Sequence, residues 1–123
     1  MTPEEFNVIV DRRLAICRSV LCDKGREYSR GEDRLHNFKT AGQRRGITPE
    51  RALDGMMLKH DVSIGDMISD AEKDPPVSPQ RETMGEKITD AINYLLLLEG
   101  LLTERIDNQR KWVHVDPVEP QKD

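Results

Sequence analysis

The feature that most constrains this chain is residues 86–104, with the sequence EKITDAINYLLLLEGLLTE. Its spacing predicts one long helix whose first turns carry a polar stripe and whose later turns are apolar on nearly every side. One side of this helix carries Ile88, Ile92, Leu95, Leu98, Leu102 and Ile106. A helix that is apolar all round must be covered all round. We therefore expect other helices, or another subunit, to pack around this segment.

Two acids stand at the edge of the apolar region. Glu86 and Asp90 are one helical turn apart, and Asn93 and Leu97 continue the same side. A carboxylate beside a dry region needs a compensating partner, which can be a cation, a base or a metal ion. The rest of the chain must supply that partner.

The composition indicates a small all-helical protein with a modest core. Of 123 residues, 34% are charged, 36% hydrophobic and 4% aromatic, and no stretch alternates apolar and polar residues over strand length. We expect one all-α domain over residues 1–110, arranged like a four-helix bundle, and an extended tail over residues 111–123. The net charge of −4 argues against general nucleic-acid binding.

The sequence predicts a cytoplasmic protein with no membrane partner. Residues 1–10 contain acids and no long apolar run, unlike a signal peptide. The longest apolar stretch, residues 91–98, is too short to span a bilayer. Cys17 and Cys22 point to different helix faces, so we expect reduced thiols.

Local signals mark the other helices. Thr-Pro-Glu occurs at residues 2–4 and 48–50, and each copy offers a capping hydroxyl, a first-turn proline and an acid. Three prolines in residues 73–79 predict a loop, so the two helices beside it can lie antiparallel. The predicted helices cover about residues 3–23, 32–45 (capped by Asp33), 49–72 and 79–110.

The segment KGREYSRG, residues 24–31, has two interpretations. It is either a solvated loop or an anion-binding loop, in which Lys24, Arg26 and Arg30 bind phosphate and Tyr28 provides a stacking or hydrogen-bonding wall. In the next helix, Asn37 can read a base or a ribose because its amide offers both a donor and an acceptor.

The third and fourth predicted helices place polar residues opposite one another. The third offers Lys59, Ser63 and Asp66, and the fourth offers Glu86, Asp90 and Asn93. Carboxylates on facing helices commonly hold Mg²⁺, and Mg²⁺ that also binds phosphate oxygens promotes phosphoanhydride cleavage. Lys59 can instead neutralise the acids or bind a phosphate. The alternative is a structural ion-pair network between the helices.

Two segments, MMLKHDVSIGDMISD and EKITDAINYLLLLEGL, resemble the two core helices of the all-α nucleotide pyrophosphohydrolase superfamily, the MazG and dimeric dUTPase-like proteins. The resemblance covers residues 52–104. The stretches KGREYSRG and RLHNFK are more similar to small MazG-like proteins of bacteriophages. The resemblance implies a MazG-type fold that oligomerises through its long helices. It also implies Mg²⁺-dependent hydrolysis of nucleoside triphosphates to monophosphate and pyrophosphate.

The resemblance assigns roles residue by residue. The superfamily carries Glu-x-x-Glu on one helix and Glu-x-x-Asp on the next. Here Ser63 and Asp66 stand at the first pair, and Lys87 and Asp90 at the second. Asp66 and Asp90 are therefore the implied Mg²⁺ ligands. Glu86, one residue out of register, is the candidate catalytic base toward the attacking water.

Three functions stay open at this point. The first is a nucleoside triphosphate pyrophosphohydrolase, in which Lys24, Arg30 and Lys59 bind phosphates while Tyr28 and Asn37 contact the base or sugar. The second is a catalytically inactive protein of phage origin that sequesters a nucleotide or a nucleotide-derived signal in the host cytoplasm. The third is a structural helical interaction module. A second copy of the chain is the expected protein partner.

Overall fold

The computed structural model describes residues 1–23 and 33–115 of the chain, and the side chains through residue 110. Its α-helices are α1 (Pro3–Arg18), α2 (His36–Arg45), α3 (Pro49–Ala71) and α4 (Arg81–Val115), and a π-helical turn (Ser19–Asp23) extends α1. None of the described residues lies in a β-strand, which confirms the predicted all-α class. Within the same residues, no helix is long and apolar enough to cross a bilayer.

Both Thr-Pro-Glu segments begin helices, as predicted. Thr2 Oγ1 accepts a hydrogen bond from the Glu5 amide at 3.1 Å, and the Glu5 carboxylate accepts one from the Thr2 amide at 3.0 Å. This reciprocal pair satisfies amides at the start of α1 that have no partner within the helix. At the start of α3, Thr48 Oγ1 accepts a hydrogen bond from the Arg51 amide at 3.1 Å.

A tight turn packs α2 against α3. Gly46 ends α2 in the left-handed conformation, with a φ of 69°, and the Ile47 amide donates to the Gly42 carbonyl at 2.9 Å. This turn satisfies carbonyls at the end of α2. At its other end, α2 begins at His36 rather than at residue 32, because the Asp33 carboxylate accepts from the amide of residue 35 in a turn that precedes the helix.

The long helices α3 and α4 lie antiparallel, as the proline-rich loop between them predicts. At one end, Arg105 donates two hydrogen bonds to the Glu50 carboxylate, at 2.6 and 2.7 Å. Further along the pair, His60 lies beside Asp90. These two contacts fix the register in which residues of α3 face residues of α4.

The bounds of α4 differ from the prediction. The helix begins at Arg81 rather than at residue 79 and continues to Val115, so residues 111–115 of the predicted extended tail are helical. These residues contain no helix breaker, and the next proline in the chain is Pro117. Residues 116–123, the rest of the predicted tail, lie outside the described residues.

The core is small and lies where α2, α3 and α4 meet. Its buried cluster consists of Leu35, Phe38, Leu53 and Leu101. Many large apolar side chains stay exposed in the single chain. On α4 these are Leu95, Leu96, Leu102 and Ile106. The excess apolar surface predicted for this helix is therefore present.

Candidate functional site

A hollow of about 370 Å³ opens between α2, α3, α4 and the turn after α1, and we call it the central hollow. Its volume falls in the usual range for small-molecule sites, about 300–1,000 Å³. The residues that line it are Val20, Leu21, Arg34, Asn37, Phe38, Met56, Lys59, His60, Asp90, Asn93, Tyr94 and Leu97. Polar and charged side chains thus converge on a partly apolar surface.

At one wall of the central hollow, His60 of α3 lies against Asp90 of α4. His60 Nδ1 is 3.6 Å from Asp90 Oδ2, which is beyond hydrogen-bond distance. His60 is 7% exposed, and its Nδ1 has no hydrogen-bond partner among the described residues. Because an unpaired buried polar atom costs free energy, a molecule that supplies a partner gains by binding there.

Asn93 presents a second unpaired polar atom. Its Nδ2 donates to the Cys17 carbonyl at 3.3 Å, which links α4 to the end of α1. Its Oδ1 is buried and has no partner among the residues that the structure describes. The side chain as a whole is 6% exposed. The central hollow therefore has two polar side chains that are more than nine-tenths buried and incompletely bonded.

Tyr94 provides an aromatic wall. Its ring centroid lies 5.1 Å from that of His60 and 6.4 Å from that of Phe38. Burial raises the pKa of the Tyr94 hydroxyl, and the negative charge of Asp90 raises that pKa further. The hydroxyl therefore stays protonated at neutral pH and can donate a hydrogen bond.

Two cationic side chains line the central hollow. Arg34 is half-buried, and its Nη2 donates to the Leu21 carbonyl at 3.3 Å, which holds the guanidinium beside the turn after α1. Lys59 is exposed on α3. Among the described side chains, neither has an ion-pair partner. Both positive charges can therefore bind an anionic group.

A second hollow, of about 700 Å³, lies between α1 and the start of α4, and we call it the α1–α4 hollow. Arg13 crosses it, with Nη1 donating to Thr89 Oγ1 at 2.9 Å and to the Gly85 carbonyl at 3.2 Å. Glu86 and Asp90 both line it, so Asp90 borders both hollows. Its remaining charged lining is mostly arginine.

Asp66 and Asp90 share neither of the two hollows described above. Asp66 is exposed and lines neither hollow. His60 is the α3 residue that faces Asp90, and Asp66 lies about 120° around the helix from His60. The described residues include no group of three or more His, Cys, Asp or Glu side chains that could hold a metal ion. The Mg²⁺ site expected from Asp66 and Asp90, with substrate phosphates completing the shell, stays a prediction.

The other predicted site residues do not all lie in one hollow. Asn37 and Lys59 line the central hollow, whereas Glu86 lines the α1–α4 hollow. Ser63 bonds within its own helix, where its Oγ donates to the carbonyl of residue 59 at 2.9 Å. Outside the described residues lie Lys24, Arg26, Tyr28 and Arg30.

The sequence interpretation missed three residues of the central hollow. Helical spacing places His60 on the same face of α3 as Leu53 and Met57, so the sequence predicts that it packs in the core. Tyr94 stands at the start of an apolar run, and no motif in the sequence distinguishes Arg34 from the other arginines. A usable signal exists only for His60, because a histidine in an otherwise apolar stripe needs a polar partner.

Comparisons with known proteins add no relative. No protein-family model, curated protein or solved structure matches the chain.

Proposed function

We propose that the protein binds a nucleotide in the central hollow. One observation carries the proposal: Arg34 and Lys59, which have no ion-pair partner among the described side chains, share this hollow with an aromatic wall and with two buried polar side chains that each leave one atom without a hydrogen bond to the described residues. Cations suit phosphate groups, and an aromatic ring suits a base. A nucleotide carries both groups in one molecule of suitable size.

We propose that the protein binds the nucleotide without hydrolysing it. The side chain that faces Asp90 across the helix pair is an imidazole rather than a second carboxylate. A cation-lined site can hold phosphates without activating a water molecule. Sequestration of a nucleotide or a nucleotide-derived signal is the resulting role.

The test is calorimetric titration with ATP, GTP, CTP and UTP, each with and without Mg²⁺, alongside thermal unfolding. Binding stabilises the fold by about 2.7 kcal/mol at ligand a hundredfold above its dissociation constant. We expect at least one nucleotide to bind in the absence of Mg²⁺ and to remain intact.

Lys59→Ala and Lys87→Ala form a matched pair for this test. Lys59 lines the central hollow, and Lys87 lies on α4 outside it. Loss of one charge-assisted phosphate contact weakens binding by about tenfold, which is 1.4 kcal/mol. We expect that loss in Lys59→Ala alone. Equal affinities of the two variants, or no binding by the parent, would contradict the proposal and favour a structural helical module.

Mg²⁺-dependent pyrophosphohydrolysis is the second candidate, and one observation favours it. Glu86 and Asp90 line the α1–α4 hollow together, beside Arg13. Glu86 would then be the catalytic base, and Asp90 would remain as a metal ligand. This function requires Mg²⁺-dependent release of pyrophosphate from a nucleotide, and the release must be lost in Asp90→Asn.

We propose that the functional protein is a homo-oligomer. Leu95, Leu102 and Ile106 are about half exposed and recur at helical spacing along α4. Contiguous exposed apolar surface is typical of protein–protein contacts. We expect a dimer or larger species in sedimentation at micromolar concentration. Leu102→Glu should shift it toward monomer, whereas Thr103→Glu, at an exposed neighbouring position, should not.

A further inference from the structure

The orientation of the Asn93 amide is set by its protein contact. Nδ2 must face the Cys17 carbonyl because a carbonyl oxygen only accepts hydrogen bonds. Oδ1 is then the end of the amide left without a partner among the described residues. Asn93 lines the central hollow, so any new partner that its side chain gains there must be a donor rather than an acceptor.

This acceptor restricts which chemical groups can lie beside Asn93 in the central hollow. A phosphate at neutral pH is almost entirely an acceptor, so it cannot pair with Asn93 Oδ1. The cations Arg34 and Lys59 suit the phosphates instead. The group that reaches Asn93 must carry an N–H or O–H donor. It must also fit beside the Tyr94 ring, whose face favours a flat group.

We propose that Asn93 and His60 together recognise the edge of a nucleobase in the central hollow. Asn93 Oδ1 accepts a hydrogen bond from a base N–H, and His60 Nδ1 contacts the next polar atom of that edge. The inference rests on the proposed nucleotide binding and adds a specificity-determining pair to it. Asn93 and His60 are positioned on different helices, α4 and α3. The base edge therefore bridges the helix pair while its face lies against Tyr94.

Entry of the base requires a small rearrangement of the wall. Asn93 Oδ1 and His60 Nδ1 are both buried. Met56 is half-buried, lines the same hollow and has an unbranched side chain. A methionine changes rotamer easily, so Met56 is the side chain best suited to move aside.

The experiment compares the tightest-binding nucleoside triphosphate with its analogue in which every N–H of the base is methylated. Dissociation constants are measured by calorimetry for the parent protein, for Asn93→Ala and for Asn108→Ala. Asn108 is an exposed asparagine on the same helix and is the matched control. In the parent protein we expect the methylated analogue to bind at least tenfold more weakly, because it leaves Asn93 Oδ1 unpaired.

The variants separate hydrogen bonding from the bulk of the methyl groups. Asn93→Ala should bind the two nucleotides with nearly equal affinity, whereas Asn108→Ala should keep the parent ratio. Equal binding of both nucleotides by the parent protein overturns the base-reading inference while leaving nucleotide binding intact. A parent ratio that persists in Asn93→Ala also overturns it. If Asn93→Ala does not fold, Asn93→Leu, which has a similar size and also lacks the acceptor, takes its place in the comparison. Absence of any nucleotide binding overturns both proposals.

Discussion

A single methyl group at Gly42 should destabilise the protein. A Cβ at this position would lie 2.8 Å from the Ile47 carbonyl oxygen and 3.0 Å from both the Pro49 nitrogen and the Thr48 carbonyl carbon. All three atoms are backbone atoms, two in the turn between α2 and α3 and one in the first residue of α3. A flexible side chain could rotate away from a new methyl group, but this turn can yield only by moving α2 relative to α3.

The expected magnitude follows from two opposing effects. Alanine in place of glycine inside a helix stabilises by about 0.5–1 kcal/mol because the unfolded chain loses freedom. Overpacking a tight contact costs about 1–3 kcal/mol. For Gly42→Ala the second effect is larger, so we expect a net loss of about 0.5–2 kcal/mol. Gly55 and Gly65 of α3 have open space where a Cβ would lie. Alanine at either position should therefore stabilise by about 0.5–1 kcal/mol.

The assay is urea unfolding followed by circular dichroism, with all proteins at the same subunit concentration. Gly42→Ala should unfold at lower urea than the parent protein, and Gly55→Ala and Gly65→Ala at higher urea. The opposite signs exclude a general effect of alanine on helices. A Gly42→Ala variant as stable as Gly65→Ala would refute the close approach of α2 to the turn and, with it, the position of one wall of the central hollow.

Three further perturbations test the fold by urea unfolding. Leu53→Ala should cost about 2–5 kcal/mol because Leu53 is fully buried, whereas Leu58→Ala, on the exposed side of the same helix, should cost far less. Thr2→Ala should cost about 1 kcal/mol by removing the cap of α1; no loss would mean that the cap does not form in solution. Glu50→Gln should cost about 0.2–1 kcal/mol at neutral pH, because the hydrogen bonds from Arg105 hold the pKa of Glu50 below its ordinary value of 4.5. A lowered pKa gives stability that is present above pH 4.5 and lost as the pH falls through the lowered value, so the difference between Glu50→Gln and the parent protein should shrink in acid.

Much of the helix layout could be predicted because its signals are local. The capping residues Thr2 and Thr48 act on amides within three residues of themselves. Gly46 ends α2 through its own backbone conformation. The predicted end of α4, residue 110, lies five residues before the observed end at Val115. The helix continues because no helix-breaking residue occurs before Pro117, and polar residues alone do not stop a helix.

The site was harder to predict because it depends on how helices face one another. The sequence places Asp66 and Asp90 on two neighbouring helices, but the rotation of α3 decides which of its residues faces Asp90. The structure gives that position to His60 and leaves Asp66 exposed. Spacing along one helix cannot reveal this rotation, since the buried stripe is several residues wide.

The central claim is that a nucleotide lies in the central hollow between α2, α3 and α4. Its most direct test is a two-dimensional ¹H–¹⁵N spectrum of the labelled protein, recorded as a nucleoside triphosphate is added. We predict that the amide chemical shifts of His60, Asn93 and Tyr94 change most and reach saturation. The amide chemical shifts of Arg12 and Arg81 in the α1–α4 hollow should change less. The claim would be contradicted if the largest chemical-shift changes occurred at those two arginines, or if no chemical shift changed saturably.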